Sequence, residues 1–198
     1  GIENETLMRG SEILRDVFGE QPIALLLGPS HAEEVARKLP TTVVIACKNI
    51  KLAKEIQDIF ITERFRVYTN TDVIGVEIGT SVKNVIAIAA GICDGLGFGN
   101  NSKAALITRG LAETMRLGVA MGGQRETFSG LTGLGDLITT CVSPYGRNRL
   151  VGEQIAKGKK LSQLLEEMDQ VAEGVLTTKS VCKLANKYNV EMPITKEI

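Results

Sequence analysis

The chain has 198 residues, 43% of them hydrophobic, so it can bury a core as one large domain or two small ones. Its 23 lysines and arginines balance 23 aspartates and glutamates, which excludes a global field favouring nucleic acid or an anionic membrane. Any site for a polyanion must therefore be local. The first residues do not show the charged segment, apolar run and cleavage site of a secretory signal, and none is expected.

The cysteines and the histidine limit the chemistry further. Cys47, Cys93, Cys141 and Cys182 show no CxxC spacing and lie in apolar stretches, so we expect reduced core or pocket residues of a cytoplasmic protein. His31 is the only histidine, which excludes a catalytic triad and a histidine-rich metal centre. We expect this histidine at the surface, at a helix start, and we expect no metal site.

The first third of the chain alternates helical and strand patterns. Helices are predicted at residues 3–18, 31–39 and 50–60, and strands at 23–27, 42–47 and 65–68. The run IALLL at 23–27 predicts a strand buried on both faces. Strands that alternate with helices over short connections predict a parallel sheet with crossover helices.

From residue 73 onward helical patterns replace the strand signal. They fill residues 73–93, 101–122, 148–156, 161–168 and 175–188. The predicted fold class is therefore α/β followed by all-α, with two domains, residues 1–71 and residues 72–198. The boundary lies in a polar turn where Thr71 or Asp72 can cap the long helix.

Lys83 is the only cation in the helix predicted at residues 73–93, whose second half is apolar on nearly every side. This helix is long enough to cross a bilayer, but Glu77, Lys83 and Asn84 within it argue against a membrane span. An ammonium buried without a partner is costly, and a buried lysine can act as a general base. Lys83 is therefore a candidate proton-transfer group, unless it reaches the surface or pairs with Glu77.

Two glycine-containing turns differ in what they predict. Gly28-Pro29-Ser30 lies where a strand should end and a helix begin, the position at which open α/β sheets bind ligands, although an ordinary turn fits as well. Residues 95–101, GLGFGNN, lack the last glycine of G-x-G-x-x-G and follow no strand. We expect a tight connection between helices there, with Asn101 or the serine after it capping the second helix.

Asp136 is a candidate partner for Lys83. It precedes a turn with Thr139 and Thr140, where its carboxylate can orient the lysine or a substrate hydroxyl, or can cap a helix. Three preceding glycines should let backbone pack closely and place this aspartate against a neighbour; they are Gly130, Gly133 and Gly135.

The best local site for an anion is Arg147-Asn148-Arg149, which follows the loop of residues 143–146. Guanidinium groups suit two-pronged recognition of phosphate or carboxylate, although exposed arginines without a ligand fit the same pattern. Glu173, within VAEGV, is either a site residue or a solvated charge.

Taken together, these segments resemble those of the NAD(P)-dependent glycerol-3-phosphate dehydrogenase family, its bacterial branch more than its eukaryotic one. The resemblance rests on GPSHAEEVA at Gly28, VEIGTSVKNVIAIAAGICDGLGFGNNSKAALITRGLAE at Val76, GLTGLGDLITTC at Gly130, GRNR at Gly146 and VAEGV at Val171. It implies the remnant of a Rossmann-type parallel-sheet domain and a C-terminal helical substrate domain like that of 6-phosphogluconate dehydrogenase.

The resemblance also implies roles for individual residues. Lys83 would be the proton acceptor. Substrate contacts would come from Gly28, Ser30, Lys83, Asn84, Asp136, Thr140, Gly146, Arg147 and Asn148, and cofactor contacts from Ala32, Arg147, Val171 and Glu173. The implied reaction interconverts dihydroxyacetone phosphate and sn-glycerol 3-phosphate with NAD or NADP and supplies glycerophospholipid synthesis. The implied protein is a cytoplasmic homodimer without nucleic-acid or membrane partners.

This chain departs from the family at two points. The family begins with a strand, a glycine-rich loop and a helix that hold the pyrophosphate of the cofactor, and none of these precedes Gly1, so the 198-residue chain alone is expected to be inactive. Gly146 stands where bacterial relatives often carry a hydroxyl residue. Two alternatives stay open: another two-domain dehydrogenase, of the ketopantoate reductase or 6-phosphogluconate dehydrogenase type, which shares the layout, and a non-catalytic helical module.

Overall fold

The computed structural model describes residues 1–168 and 172–198, and within these ranges it contains three strands and ten α-helices. The strands are β1 (Leu25–Leu27), β2 (Thr41–Ala46) and β3 (Phe65–Asn70). The helices are α1 (Gly10–Phe18), α2 (Ala32–Ala36), α3 (Ile50–Phe60), α4 (Val73–Gly95), α5 (Gly99–Ala120), α6 (Asp136–Val142), α7 (Arg147–Ala156), α8 (Leu161–Glu167), α9 (Glu173–Lys187) and α10 (Pro193–Glu197). The prediction of an α/β part followed by helices is confirmed.

The three-stranded sheet has the order β1-β2-β3 and is mixed. β2 and β3 are parallel, as predicted, with Val43 opposite Val67. For β1 the prediction is wrong, because β1 runs antiparallel to β2, with Leu27 opposite Val44. The five-residue helix α2 is too short to carry the chain back along the sheet as a parallel crossover requires. β1 is also an edge strand, so Leu26 is 40% exposed rather than buried.

The sequence predicted the presence of the helices more accurately than the residues at which they begin. α1 begins at Gly10 rather than at residue 3, because the Glu3 carboxylate accepts hydrogen bonds from the backbone of Glu5 and Thr6 and closes a separate turn. α5 begins at Gly99, so Asn101 lies inside it and the predicted cap is wrong. The cap predicted for α4 is confirmed, because the carboxylate of Asp72 accepts a hydrogen bond from the backbone N–H of Gly75 at the start of that helix.

Helix α4 is the centre of the fold, with α5, α6, α7 and α9 packed around it. Its residues Val82, Val85 and Ile86 are fully buried, in one core cluster with Phe128 and Leu184 from surrounding elements. By length and composition α4 could cross a membrane, but 83% of its most apolar 18-residue window is buried inside the protein. Burial of each large apolar side chain contributes about 1.5–3 kcal/mol, so this packing fixes α4 in place.

Helices α4 and α7 cross with their backbones in contact. A Cβ atom at Gly91 would lie 1.8 Å from the carbonyl oxygen of Arg149, and one at Gly152 would lie 1.9 Å from that of Ile88. Neither position leaves room for a side chain, and backbone atoms cannot yield as a flexible side chain can. The N-terminal end of α7 is therefore held at a fixed distance from α4.

Gly152→Ala is expected to lower the free energy of unfolding by about 1–3 kcal/mol, because the two helices must separate to admit the methyl group. Urea unfolding of the 198-residue chain measures this loss. Gly135→Ala is the matched control, since position 135 is helical (φ −61°, ψ −52°) and a Cβ atom there meets nothing closer than Leu131 Cδ2 at 3.7 Å. Equal losses in the two variants would contradict the proposed backbone contact.

Candidate active site

A cleft with a cavity volume of about 470 Å³ lies between the end of β1 and the start of α2 on one side and α4, α6, α7 and α9 on the other. It brings together the site residues predicted from the sequence, which come from distant parts of the chain. Those lining it are Gly28, Ser30, Ala32, Lys83, Asn84, Asp136, Thr140, Gly146, Arg147, Asn148 and Glu173. Val171, the remaining predicted residue, lies outside the described residues.

An ion pair joins Lys83 on α4 to Asp136 on α6. Lys83 Nζ lies 2.5 Å from Asp136 Oδ1, and the two side chains are 19% and 3% exposed. Asp136 Oδ1 also lies 3.3 Å from the hydroxyl of Thr140, whereas Oδ2 is buried and has no hydrogen-bond partner among the described residues. The alternative pairing of the lysine with Glu77 is wrong, because Arg9 occupies that carboxylate at 2.6 Å. The pair thus leaves one buried carboxylate oxygen without a hydrogen bond from the described residues.

Close backbone packing places Asp136 where it meets the lysine. The π-helical turn Leu131–Gly135 precedes it, and a Cβ atom at Gly133 would lie 2.1 Å from the carbonyl oxygen of Phe128. π-Helical turns occur frequently at functional sites. Asp136 is the first residue of α6 and the cap position is Gly135, so the helix-cap interpretation of this aspartate is wrong.

A chain of amides connects three helices at the cleft. Asn148 at the start of α7 donates its amide N–H to Asn84 Oδ1 on α4 at 3.0 Å. Its own Oδ1 accepts the backbone N–H of Gly174 at the start of α9, at 2.9 Å. Both asparagines are buried. These bonds fix Asn84 beside Lys83 and bring Glu173, the residue before Gly174, to the cleft.

The structure separates the two arginines of the GRNR segment. Arg147, the first residue of α7, lines the cleft. Arg149 does not; its Nη1 lies 2.8 Å from Asp94 Oδ2 and 3.1 Å from Glu153 Oε2. Burial raises the pKa of the Asp94 carboxyl, but hydrogen bonds from Lys103 and Arg149 outweigh burial and hold that pKa below its usual value.

Several cleft residues were missed by the sequence analysis. His31 lines the cleft rather than lying on an open surface, its Nε2 is buried, and its ring lies 6.1 Å from that of Tyr145. Thr80 also lines the cleft, and its position one helical turn before Lys83 could have identified it. For His31 the available signal was its place directly after Ser30. The others are Gly1, Leu26, Leu27, Glu33, Thr139 and Tyr145.

The four cysteines are free, and Cys47, Cys93 and Cys141 are buried. Burial raises the pKa of the Cys141 thiol to about 12, so this residue of α6 stays protonated near neutral pH and does not act as a nucleophile. Within residues 1–168 and 172–198, no group of three or more histidine, cysteine, aspartate or glutamate side chains could hold a metal ion.

Comparison with known proteins identifies close relatives along the whole chain. The chain is 58% identical over 201 residues to glycerol-3-phosphate dehydrogenase (NAD(P)+) 2 of Salinibacter ruber, a match covering 100% of this chain and 58% of that protein. It is 57% identical over 203 residues to the enzyme of that name from Bacillus subtilis, covering 100% and 58%. The chain thus spans a little over half the length of these relatives.

Solved structures agree with these relatives. The crystal structure of glycerol-3-phosphate dehydrogenase from Coxiella burnetii superposes with a TM-score of 0.91 at 45% identity, over 94% of this chain and 57% of that one. A family model for the N-terminus of NAD-dependent glycerol-3-phosphate dehydrogenase matches residues 1–53, and one for its C-terminus matches residues 72–198. These matches confirm the resemblance seen in the motifs. The C-terminal model alone covers more than half of the chain, which therefore belongs to the NAD-dependent glycerol-3-phosphate dehydrogenase family.

Proposed function

We propose that this chain carries the substrate half of an oxidoreductase that interconverts dihydroxyacetone phosphate and sn-glycerol 3-phosphate with NAD or NADP. The observation that carries the proposal is the pair of Lys83 and Asp136 in the cleft. Oxidising an alcohol or reducing a ketone requires a group that moves the proton at the reacting oxygen, and a lysine held by a carboxylate suits this role. The names of the relatives support this choice of substrate.

In this proposal, different residues of the cleft bind the phosphate and transfer the proton. Arg147 and Asn148, with the backbone of Gly146, hold the phosphate, and Lys83 faces the oxygen on C2. The cofactor, when bound, supplies or accepts the hydride at C2. In the reductive direction Lys83 as ammonium donates its proton to that oxygen, and in the oxidative direction neutral Lys83 takes the proton back. The phosphate is remote from C2, so the free energy of binding it can be used to align C2 with the reacting groups.

The opposite side of the cleft contributes the turn at the end of β1. Gly28 has a φ of 136°, and a Cβ atom there would lie 3.2 Å from Val43 Cα, so glycine is required. Gly28 and Ser30, with Asn84 and Thr140, complete the proposed substrate contacts. The proposed cofactor contacts are Ala32, Arg147, Glu173 and Val171.

The chain supplies only part of a dinucleotide site. Its glycine-rich stretch at residues 95–101 contains the end of α4, the connection at residues 96–98 and the start of α5, and does not line the cleft. It therefore does not serve as a pyrophosphate loop, which needs a strand before it and a helix after it. A separate nucleotide-binding segment is needed for turnover.

The proposal is tested by assaying the chain alone and joined at Gly1 to the glycine-rich strand–loop–helix segment with which the family begins. We expect the joined protein to consume NADH or NADPH only with dihydroxyacetone phosphate, and the 198-residue chain to show no turnover. Consumption of NADPH with ketopantoate, or reduction of NADP+ with 6-phosphogluconate, without turnover of the triose phosphate, would favour another two-domain dehydrogenase. Binding of glycerol 3-phosphate without turnover in either form would favour a non-catalytic module.

The wider setting of the chain is part of the proposal. Residues 1–71 complete a Rossmann-like nucleotide-binding domain, and residues 72–198 form a substrate domain through which two copies associate. The free cysteines fit a reducing cytoplasm, and the zero net charge fits a protein without nucleic-acid or membrane partners. The product serves glycerophospholipid synthesis.

A further inference from the structure

The guanidinium group of Arg149 ties together three parts of the structure outside the cleft. Nη1 contacts Asp94 at the end of α4 and Glu153 on α7 itself. Nε donates to the carbonyl oxygen of Ser143, in the loop between α6 and α7, at 3.2 Å. The Arg149 side chain is 16% exposed, so these bonds form largely out of water.

The hydrogen bond from Arg149 to the carbonyl oxygen of Ser143 helps to set the direction in which α7 begins. The same carbonyl oxygen accepts the backbone N–H of Gly146 at 3.2 Å and so closes a turn with Pro144 at its second position. Gly146 is the residue before α7, and its carbonyl oxygen accepts the N–H of Leu150 as the helix begins. The turn therefore sets the orientation in which the first two residues of α7 enter the cleft.

The bond to Asp94 fixes this turn relative to α4. Lys103 also pairs with that carboxylate, at 2.5 Å, and holds it in place. One helical turn earlier on α4, Gly91 lets the backbone of Arg149 approach directly. Arg149 is thus anchored through its backbone and its side chain to the helix that carries Lys83, and it lies two residues from Arg147.

We propose that Arg149 is a positioning residue for the phosphate site: it holds the turn of residues 143–146 against Asp94 so that Arg147 and Asn148 present their side chains to the phosphate. This inference rests on the proposed function, because it assigns Arg149 an effect on phosphate binding without contact. Arg149→Met leaves no carboxylate without a cation, because Asp94 keeps Lys103 and Glu153 keeps Lys157. The variant should therefore fold.

The test is the affinity of the 198-residue chain for glycerol 3-phosphate, measured by isothermal titration calorimetry on a double-mutant cycle. Arg149→Met is expected to weaken binding about 10- to 100-fold, as the loss of charged hydrogen bonds implies. Arg147→Met should weaken it at least as much. The loss in the double variant should be smaller than the product of the two single losses, because Arg149 acts through Arg147 and Asn148. Losses that multiply in the double variant would overturn the inference.

Two further variants distinguish a positioning role of Arg149 from a nonspecific effect of removing a cation from this cluster. Arg149→Lys keeps a cation but cannot reach Asp94 and the Ser143 carbonyl at once, so its affinity should fall between wild type and Arg149→Met. Lys157→Met removes an exposed cation from the same cluster, 2.5 Å from Glu153, and should leave the affinity unchanged. Equal loss in Lys157→Met would contradict the inference. No binding by the wild type would instead overturn the proposed function, and the inference with it.

Discussion

Lys83→Met is expected to lower kcat about 10²- to 10⁴-fold in the chain joined to a nucleotide-binding segment, the range over which a positioned proton-transfer group acts. Methionine is unbranched and only one heavy atom shorter than lysine, but it cannot donate or accept the proton at the C2 oxygen. The KM for dihydroxyacetone phosphate should change much less, because the residues proposed to hold the phosphate, Arg147 and Asn148, are unchanged. Steady-state kinetics with varied triose phosphate separates the two constants.

The control is Arg9→Met. Like Lys83→Met, it leaves a buried carboxylate without its cation, in this case Glu77 on α4. Arg9 lies 2.6 Å from Glu77, with side chains 11% and 6% exposed, and does not line the cleft. Both variants should therefore lose stability, but only Lys83→Met should lose kcat. Retention of most of the wild-type kcat in Lys83→Met would refute Lys83 as the proton-transfer group.

The sequence was sufficient for the class of fold and for most helices. Helix α3 was predicted at its observed bounds, Ile50–Phe60, and the structure shows that Asn49 caps it. Strand direction was not predictable in the same way. IALLL has the same apolar pattern in a parallel or antiparallel strand, and the direction of β1 depends on the length of α2, which the sequence analysis overestimated.

The residues of the candidate site were predicted from the sequence, but of their contacts only the pairing of Lys83 with Asp136 was anticipated, and only as one of several alternatives. Lys83 and Asp136 are 53 positions apart, and their pairing depends on how α6 packs on α4. The two arginines show the limit most directly. Residues two apart on a helix point about 200° apart, so Arg147 and Arg149 could not both face the cleft. Which of them does is decided by Asp94, whose place beside α7 no local pattern reveals.

Replacing both members of the Lys83–Asp136 pair is expected to restore stability that either single replacement loses. Lys83→Met leaves the carboxylate of Asp136 buried without a cation, and Asp136→Leu leaves the ammonium of Lys83 without an anion. Each should lower the free energy of unfolding by about 3–5 kcal/mol. The double variant buries no charge and should recover at least about 2 kcal/mol relative to either single variant. Urea unfolding of the four proteins measures this coupling.

An exposed ion pair provides the comparison. Lys159 and Glu167 lie 3.0 Å apart with side chains 46% and 60% exposed, so water already solvates both charges. Lys159→Met and Glu167→Leu should each change stability by less than about 1 kcal/mol and should combine additively. Additive losses at Lys83 and Asp136 as well would show that this pair is solvated like one on the surface. A double variant that is more stable than the wild type but recovers no kcat would show that the pair costs stability and persists because the chemistry requires the lysine.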